Sequence, residues 1–162
     1  MYDIKIIGAE VLRKTAVDVS DFNHDLKKIT TNMLDTMYKF NGIGLAAPQV
    51  DISKRIIVTD ISPVEHDYHS MVFINPEIIE SSGEKIYEEG CLSIPGVNED
   101  ILRPEKIFIQ YQDIDGNEKT AAFESWMARV LQHEIDHLNG ILFIDYLSPV
   151  KKKLLLNRFE QL

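Results

Sequence analysis

The sequence predicts an α+β domain in which antiparallel β-sheets surround a helix carrying His133, Glu134 and His137, with an N-terminal and a C-terminal helix packed outside. Three observations lead to that expectation. Short runs dominated by β-branched and aromatic residues, RIIVTDI at 55–61 and MVFINPEII at 71–79, have the composition of strands. Two longer stretches, at 23–40 and from 124 onward, are helical in pattern or composition. Between the strand-like runs at 107–112 and 119–123 lies DIDGN, a turn sequence that closes an antiparallel hairpin.

In chain order, 162 residues suit one domain, spanning 1–162, with room for a core. The N-terminal MYDIKIIGAEVLRKTAVDV carries early acidic residues and no long apolar run, so it reads as folded chain and not as a signal or transit peptide. Asn23 is an N-cap residue, and Leu26, Ile29, Met33, Met37 and Phe40 follow at steps of three or four, predicting an amphipathic helix that Asn41 and Gly42 stop. His24 falls in its first turn and is expected to face solvent. GIGLAAPQV at 42–50 is read in two ways, as a tight connection or as an open stretch of backbone that a ligand chain can approach. SPVEHDYHS at 62–70 is polar and turn-like, so His66 and His69 are assigned to a loop. A further strand is expected at 85–88, followed by EEGCLSIPG, in which Gly90 is taken to permit an unusual backbone angle before Cys91 while Pro95 and Gly96 turn the chain away. Residues 124–131 lack Gly and Pro, and Gly140 supplies a C-terminal stop. In the closing segment at 147–162, lysines accompany Leu154, Leu155, Leu156 and Phe159, as in a helix that packs by one face.

The chemistry concentrates in QHEIDHLNG at 132–140. Its H-E-x-x-H (HEXXH) spacing sets His133 and His137 one helical turn apart on one face, where a single cation can reach both, with Glu134 beside them as a candidate proton carrier. The plain alternative is a buried helix whose histidines bond to neighbours. A catalytic centre of this kind usually takes three protein ligands and leaves one position for water. Cys91, the only cysteine, is the candidate third ligand; the plain alternative is an inert buried thiol. Asp136 and Gln132 are candidates to support the ligand histidines from behind.

GIGLAAPQ at 42–49, EGCLS at 89–93 and QHEIDHLNG at 132–140 resemble, in order and spacing, the three signature motifs of the peptide deformylases. VLRKTA, RPEKIFIQYQDIDG and FIDYLSP extend the similarity over nearly the whole chain. Asp51 departs from the pattern, standing where the family usually has a glycine. The resemblance implies hydrolytic removal of the formyl group from the N-terminal methionine of new polypeptides, releasing formate. It implies that Cys91, His133 and His137 hold one divalent metal, ferrous iron in the cell, with zinc, nickel or cobalt able to replace it. Glu134 would be the general acid and base, and the Gln49 amide and the Leu92 backbone N–H would stabilise the oxyanion. Substrate would add as a strand along Ile43, Gly44 and Leu45, with Arg129, Val130 and His133 walling the methionine pocket and Glu89 and Gly90 bordering it.

Composition sets limits of its own. A formal charge of −9 argues against nonspecific nucleic-acid binding, DNA included. Lys151, Lys152, Lys153 and Arg158 against Glu160 give the segment from Pro149 onward +3 and leave −12 for residues 1–148, so a basic tail follows an acidic body. That tail is a candidate ribosome-docking helix by the same resemblance, or simply a solvated one. No apolar run reaches bilayer length, and a single cysteine suits a reducing compartment, so a cytoplasmic protein is expected. Two other functions stay open: an HEXXH metallopeptidase cutting internal bonds, and a noncatalytic ribosome- or peptide-binding module that keeps its metal for stability.

Overall fold

The computed structural model describes residues 1–160, so the last two positions of the expected C-terminal helix, 161 and 162, lie outside the described part. Three helices and seven strands make an α+β fold: α1 (His24–Lys39), β1 (Gly44–Ala46), β2 (Ile56–Thr59), β3 (Met71–Ser82), β4 (Lys85–Cys91), β5 (Ile94–Arg103), β6 (Lys106–Gln112), β7 (Glu118–Glu124), α2 (Ser125–Leu138) and α3 (Pro149–Glu160). Single 3-10 turns lie at Glu10–Arg13, Ala47–Val50 and Phe143–Tyr146. Every strand pair is antiparallel: β1-β2-β3-β6-β7 form one sheet and β4-β5 a second.

Period-two alternation explains why the β2 run is buried throughout. Ile57 packs on one side with Phe73, Ile107 and Ile109 against Met127, Leu131 and Ile135 of α2. Its neighbours Ile56 and Val58 point the other way, with Leu45 and Ile74, onto Leu26, Met33 and Met37 of α1. Helices therefore cover both faces of the sheet at β2. By β6 only one face is covered, and Phe108, between buried Ile107 and Ile109, is 37% exposed. A third cluster joins Ile94, Val97 and Ile101 of β5 to Leu142, Phe143 and Ile144 and to Leu155 of α3.

Asn23 caps α1 as its residue type predicts, its side chain accepting from the Leu26 N–H at 3.0 Å. His24, His66 and His69 are exposed, in keeping with the loop and first-turn assignments. Two strands were not expected from the sequence. β1 is only three residues long and holds a glycine, and β5 carries Pro95 and Gly96 directly after its first residue, Ile94, a pair that reads as a turn. Gly90 also differs from expectation: its backbone is not left-handed, and the constraint is instead Asn98 opposite, whose Oδ1 occupies the space a Cβ would need.

Candidate active site

Three segments meet at one end of α2. β4 delivers Cys91 at its last residue, where the register slips and the two-residue turn Leu92-Ser93 starts the hairpin into β5. β1 runs into the 3-10 turn that holds Gln49, and α2 supplies His133, Glu134 and His137. The ligand atoms of Cys91, His133 and His137 all lie within 4.8 Å of one another, and the Cys91 Sγ stands 3.3 Å from His137 Nε2. Ligands at about 2.0–2.3 Å around a tetrahedral cation sit about 3.3–3.8 Å apart, so this sulfur and two-nitrogen set fits a divalent metal with small adjustment. Gln49 is fixed on both ends: Oε1 accepts from the Ala46 N–H at 2.9 Å, while Nε2 donates to Ser93 Oγ at 3.2 Å and lies 3.6 Å from the Cys91 sulfur.

Behind the ligands lies a buried charge network. The Glu89 carboxylate takes a two-pronged contact from Arg103, Nε at 2.6 Å and Nη2 at 3.0 Å, a third from Arg129 Nη1 at 2.6 Å, and a fourth from His133 Nδ1 at 2.9 Å. Burial alone would raise the Glu89 pKa, but the hydrogen bonds from His133 and Arg103 and their charges outweigh it and hold the carboxyl at about 2. An ionised Glu89 fixes the His133 proton on Nδ1 and turns Nε2 toward the sulfur. Arg103 continues outward to Asp136 Oδ2 at 2.7 Å, which also accepts from the Tyr146 hydroxyl at 2.7 Å.

Burial opposes a charged His133, yet its contacts with Cys91 and Glu89 raise its pKa well above the ordinary value, whereas burial and the neighbouring His133 push His137 well below it. Burial lifts Glu134 to about 7, and its Oε1 has no hydrogen-bond partner among the described residues. Gly44 explains how that carboxylate fits: a Cβ there would lie 2.7 Å from Val130 Cγ1 and 2.8 Å from Glu134 Oε2.

Above the ligands opens a cleft of about 810 Å³. Of the residues singled out from the sequence, Ile43, Gly44 and Gln49 line it from the first motif. Glu89, Gly90, Cys91 and Leu92 line it from the hairpin, and Arg129, Val130, His133 and Glu134 from α2. His137 and Leu45 do not line the cleft; His137 is 1% exposed beneath it, and Leu45 is wholly buried with α1. The outer edge of β1 is unpaired, since β2 occupies only its other side. Asp136 and Gln132 do not support the histidines directly. Gln132 Nε2 bonds the carbonyls of Pro104 and Ala128, and the group on His133 is Glu89. Sequence reading missed Arg103, and also Trp126, which stacks on Tyr87 at 4.6 Å and lines the cleft. One signal was available: Glu89 is two residues from Cys91, which places both on one face of a strand.

Comparison with known proteins agrees with this geometry. Residues 1–153 match the family described as polypeptide deformylase. A peptide deformylase of Thermodesulfovibrio yellowstonii is 49% identical over 158 residues, which is 98% of this chain and 96% of that protein. The crystal structure of a peptide deformylase from Legionella pneumophila superposes with a TM-score of 0.91 at 41% identity, covering 99% of this chain and 96% of the other. That of Synechococcus elongatus in complex with actinonin gives a TM-score of 0.91 at 40% identity, over 98% and 88% of the two chains.

Proposed function

We propose, from the premise that the chain belongs to the polypeptide deformylase family, how its own residues carry out the reaction. The protein is a peptide deformylase: it removes the N-formyl group from the N-terminal methionine of newly made polypeptides. One observation carries the assignment of roles. Three donors of the right chemistry, Cys91, His133 and His137, converge at the floor of a cleft beside the unpartnered carboxylate of Glu134.

Cys91, His133 and His137 hold one divalent cation, which when bound supplies Lewis acidity and lowers the pKa of a water to about 7. Glu134 then acts as the proton carrier. Buried beside the donor atoms and with no partner on Oε1 among the described residues, it accepts a proton from the attacking water and returns it to the departing amine nitrogen. Oxygen adds to the formyl carbon, the carbon–nitrogen bond breaks, and formate and a free methionyl amine result. Gln49 Nε2 and the Leu92 N–H donate to the carbonyl oxygen as it gains negative charge. The bonds from Gln49 to Ala46 and Ser93 support this role, because a donor already locked in place needs no reorganisation during the reaction.

Substrate adds along the free edge of β1 through Ile43, Gly44 and Leu45; for Leu45 only the backbone serves, since its side chain is buried. Val130 forms the apolar wall for methionine. Glu89, Gly90 and Arg129 border it, with the charged ends of Glu89 and Arg129 neutralised against each other.

Residues 1–162 act as one catalytic domain, with α2 as the central helix that both sheets serve. Family resemblance supports ferrous iron as the cellular metal, with zinc, nickel or cobalt taking the same ligands. No described helix is long and apolar enough to cross a membrane, which is compatible with a cytoplasmic enzyme. For the ribosome, Lys153 and Arg158 are the α3 cations without an ion-pair partner among the described residues, whereas Lys151 is paired with Glu99 at 2.6 Å and Lys152 with Asp145 at 2.7 Å.

The test is substrate discrimination by metal-loaded protein. Formyl-methionyl peptides should release formate while the same peptides without the formyl group stay intact. Cleavage of internal bonds in the unformylated peptides would favour the metallopeptidase reading, and no reaction with either would favour a binding module.

A further inference from the structure

The two ligand histidines are oriented by different means. His133 Nδ1 meets the Glu89 carboxylate, the usual arrangement for a metal-bound imidazole. His137 Nδ1, equally buried, has no hydrogen-bond partner among the described residues. Whatever fixes its ring must act through the backbone and the packing around it.

The backbone just beyond His137 is held by a collar. The Leu138 carbonyl, at the C-terminal end of α2, accepts from the Ala16 N–H at 2.8 Å and from Arg55 Nη1 at 3.0 Å. Arg55 also reaches the Ala16 carbonyl at 3.4 Å and Asn139 Oδ1 at 3.1 Å. On the far side, a Cβ on Gly140 would lie 2.6 Å from the Arg13 carbonyl, and the left-handed Gly140 (φ 73) lets the chain turn against that segment. The Arg55 side chain is only 15% exposed, and its single carboxylate neighbour, Asp18, stands 3.8 Å away on a side chain that is 80% exposed. Its charge is therefore directed mainly at the negative end of α2.

We propose that Arg55 is a positioning residue for His137: by gripping the Leu138 carbonyl it fixes the last turn of α2, and with it the imidazole whose Nδ1 has no hydrogen-bond partner among the described residues. This rests on the reading that Cys91, His133 and His137 hold a metal. Arg55 touches neither substrate nor metal, so its contribution is to ligand geometry.

The test measures metal affinity, not turnover, by chelator competition, together with the visible spectrum of the cobalt-substituted protein, whose bands report ligand geometry at the thiolate-containing site. Loss of an outer support typically weakens a metal site 10–100-fold, so Arg55→Ala should bind about 10-fold more weakly, with altered cobalt bands. Arg55→Lys, which keeps a cation but loses the fork, should fall between it and the parent. Ile74→Val, a core truncation in the cluster beneath α1, should lower the melting temperature without moving affinity or spectrum. Parent-like affinity and spectrum in folded Arg55→Ala, or in Arg55→Lys if the alanine variant does not fold, would overturn the proposal while leaving the metal site standing. Equal weakening in Ile74→Val would also overturn it, since general destabilisation would then suffice. If the parent itself bound no metal at these ligands, the underlying reading would fail, and this inference with it.

Discussion

Replacing Glu89 with glutamine keeps the size of the side chain but removes the charge on which Arg103, Arg129 and His133 converge. A carboxyl held at about 2 instead of 4.5 corresponds to about 3 kcal/mol in favour of the ionised folded form. An independent estimate agrees in scale, because breaking a buried ion pair from one side costs about 3–5 kcal/mol. For a chain of this length about 3 kcal/mol lowers Tm by about 6–12 °C. The sign with pH follows from the lowered pKa. Stabilisation by Glu89 is complete above the unfolded value of 4.5 and is lost as pH falls toward 2, so the gap between parent and Glu89→Gln should be widest near neutrality and narrow steadily below pH 4.5. Thermal unfolding of both proteins at pH 7, 5, 4 and 3, with metal content measured alongside, provides the test. Metal affinity should also fall, because a neutral amide oxygen replaces the charged acceptor of the His133 Nδ1 proton. A Tm within about 1 °C of the parent at pH 7 would refute the reasoning, as would a deficit that grows on acidification.

Two other substitutions probe the backbone around the cleft. Gly44→Ala places a methyl into Val130 and Glu134, so turnover on formyl-methionyl peptides should drop at least about 10-fold while bound metal stays near one ion per chain; parallel loss of metal would show a general collapse instead. Asp51 adopts a left-handed backbone (φ 67, ψ 28) at the end of the Ala47–Val50 turn, so Asp51→Ala should destabilise by about 1 kcal/mol, whereas Asp51→Gly should be neutral or slightly stabilising by denaturant unfolding.

That left-handed turn gives a physical reason for the glycine that the resemblance leads one to expect at position 51, which the sequence alone could flag but not explain. The helices were legible because their signals are local: an asparagine cap, apolar steps of three and four, a stopping glycine. β2, β3, β4, β6 and β7 were legible for the same reason. β5 was not, since Pro95 and Gly96 mark a turn in any local reading, and only pairing with β4 and packing against Phe143 make it a strand. Cys91, His133 and His137 could be grouped from the sequence because the two motifs that carry them are compact, and the structure brings their donor atoms within 4.8 Å of one another. Glu89 was placed at the pocket border but not recognised as the anchor of His133. That role depends on Arg103 and Arg129 arriving from 14 and 40 residues away, distances at which sequence spacing carries no directional information. The collar around Leu138 is hidden in the same way, being built largely from backbone carbonyls.

The central claim is that Glu134 moves protons in a hydrolysis at a site held by Cys91, His133 and His137, and one variant tests it most directly. Glu134→Gln keeps the side-chain volume and leaves all three ligands untouched. Metal content and formate release from a formyl-methionyl peptide should be measured on the same sample of fully loaded protein. The account predicts one metal per chain, as in the parent, with turnover reduced at least about 100-fold, the scale on which general acid and base assistance operates. Parent-like turnover with the metal in place would contradict it.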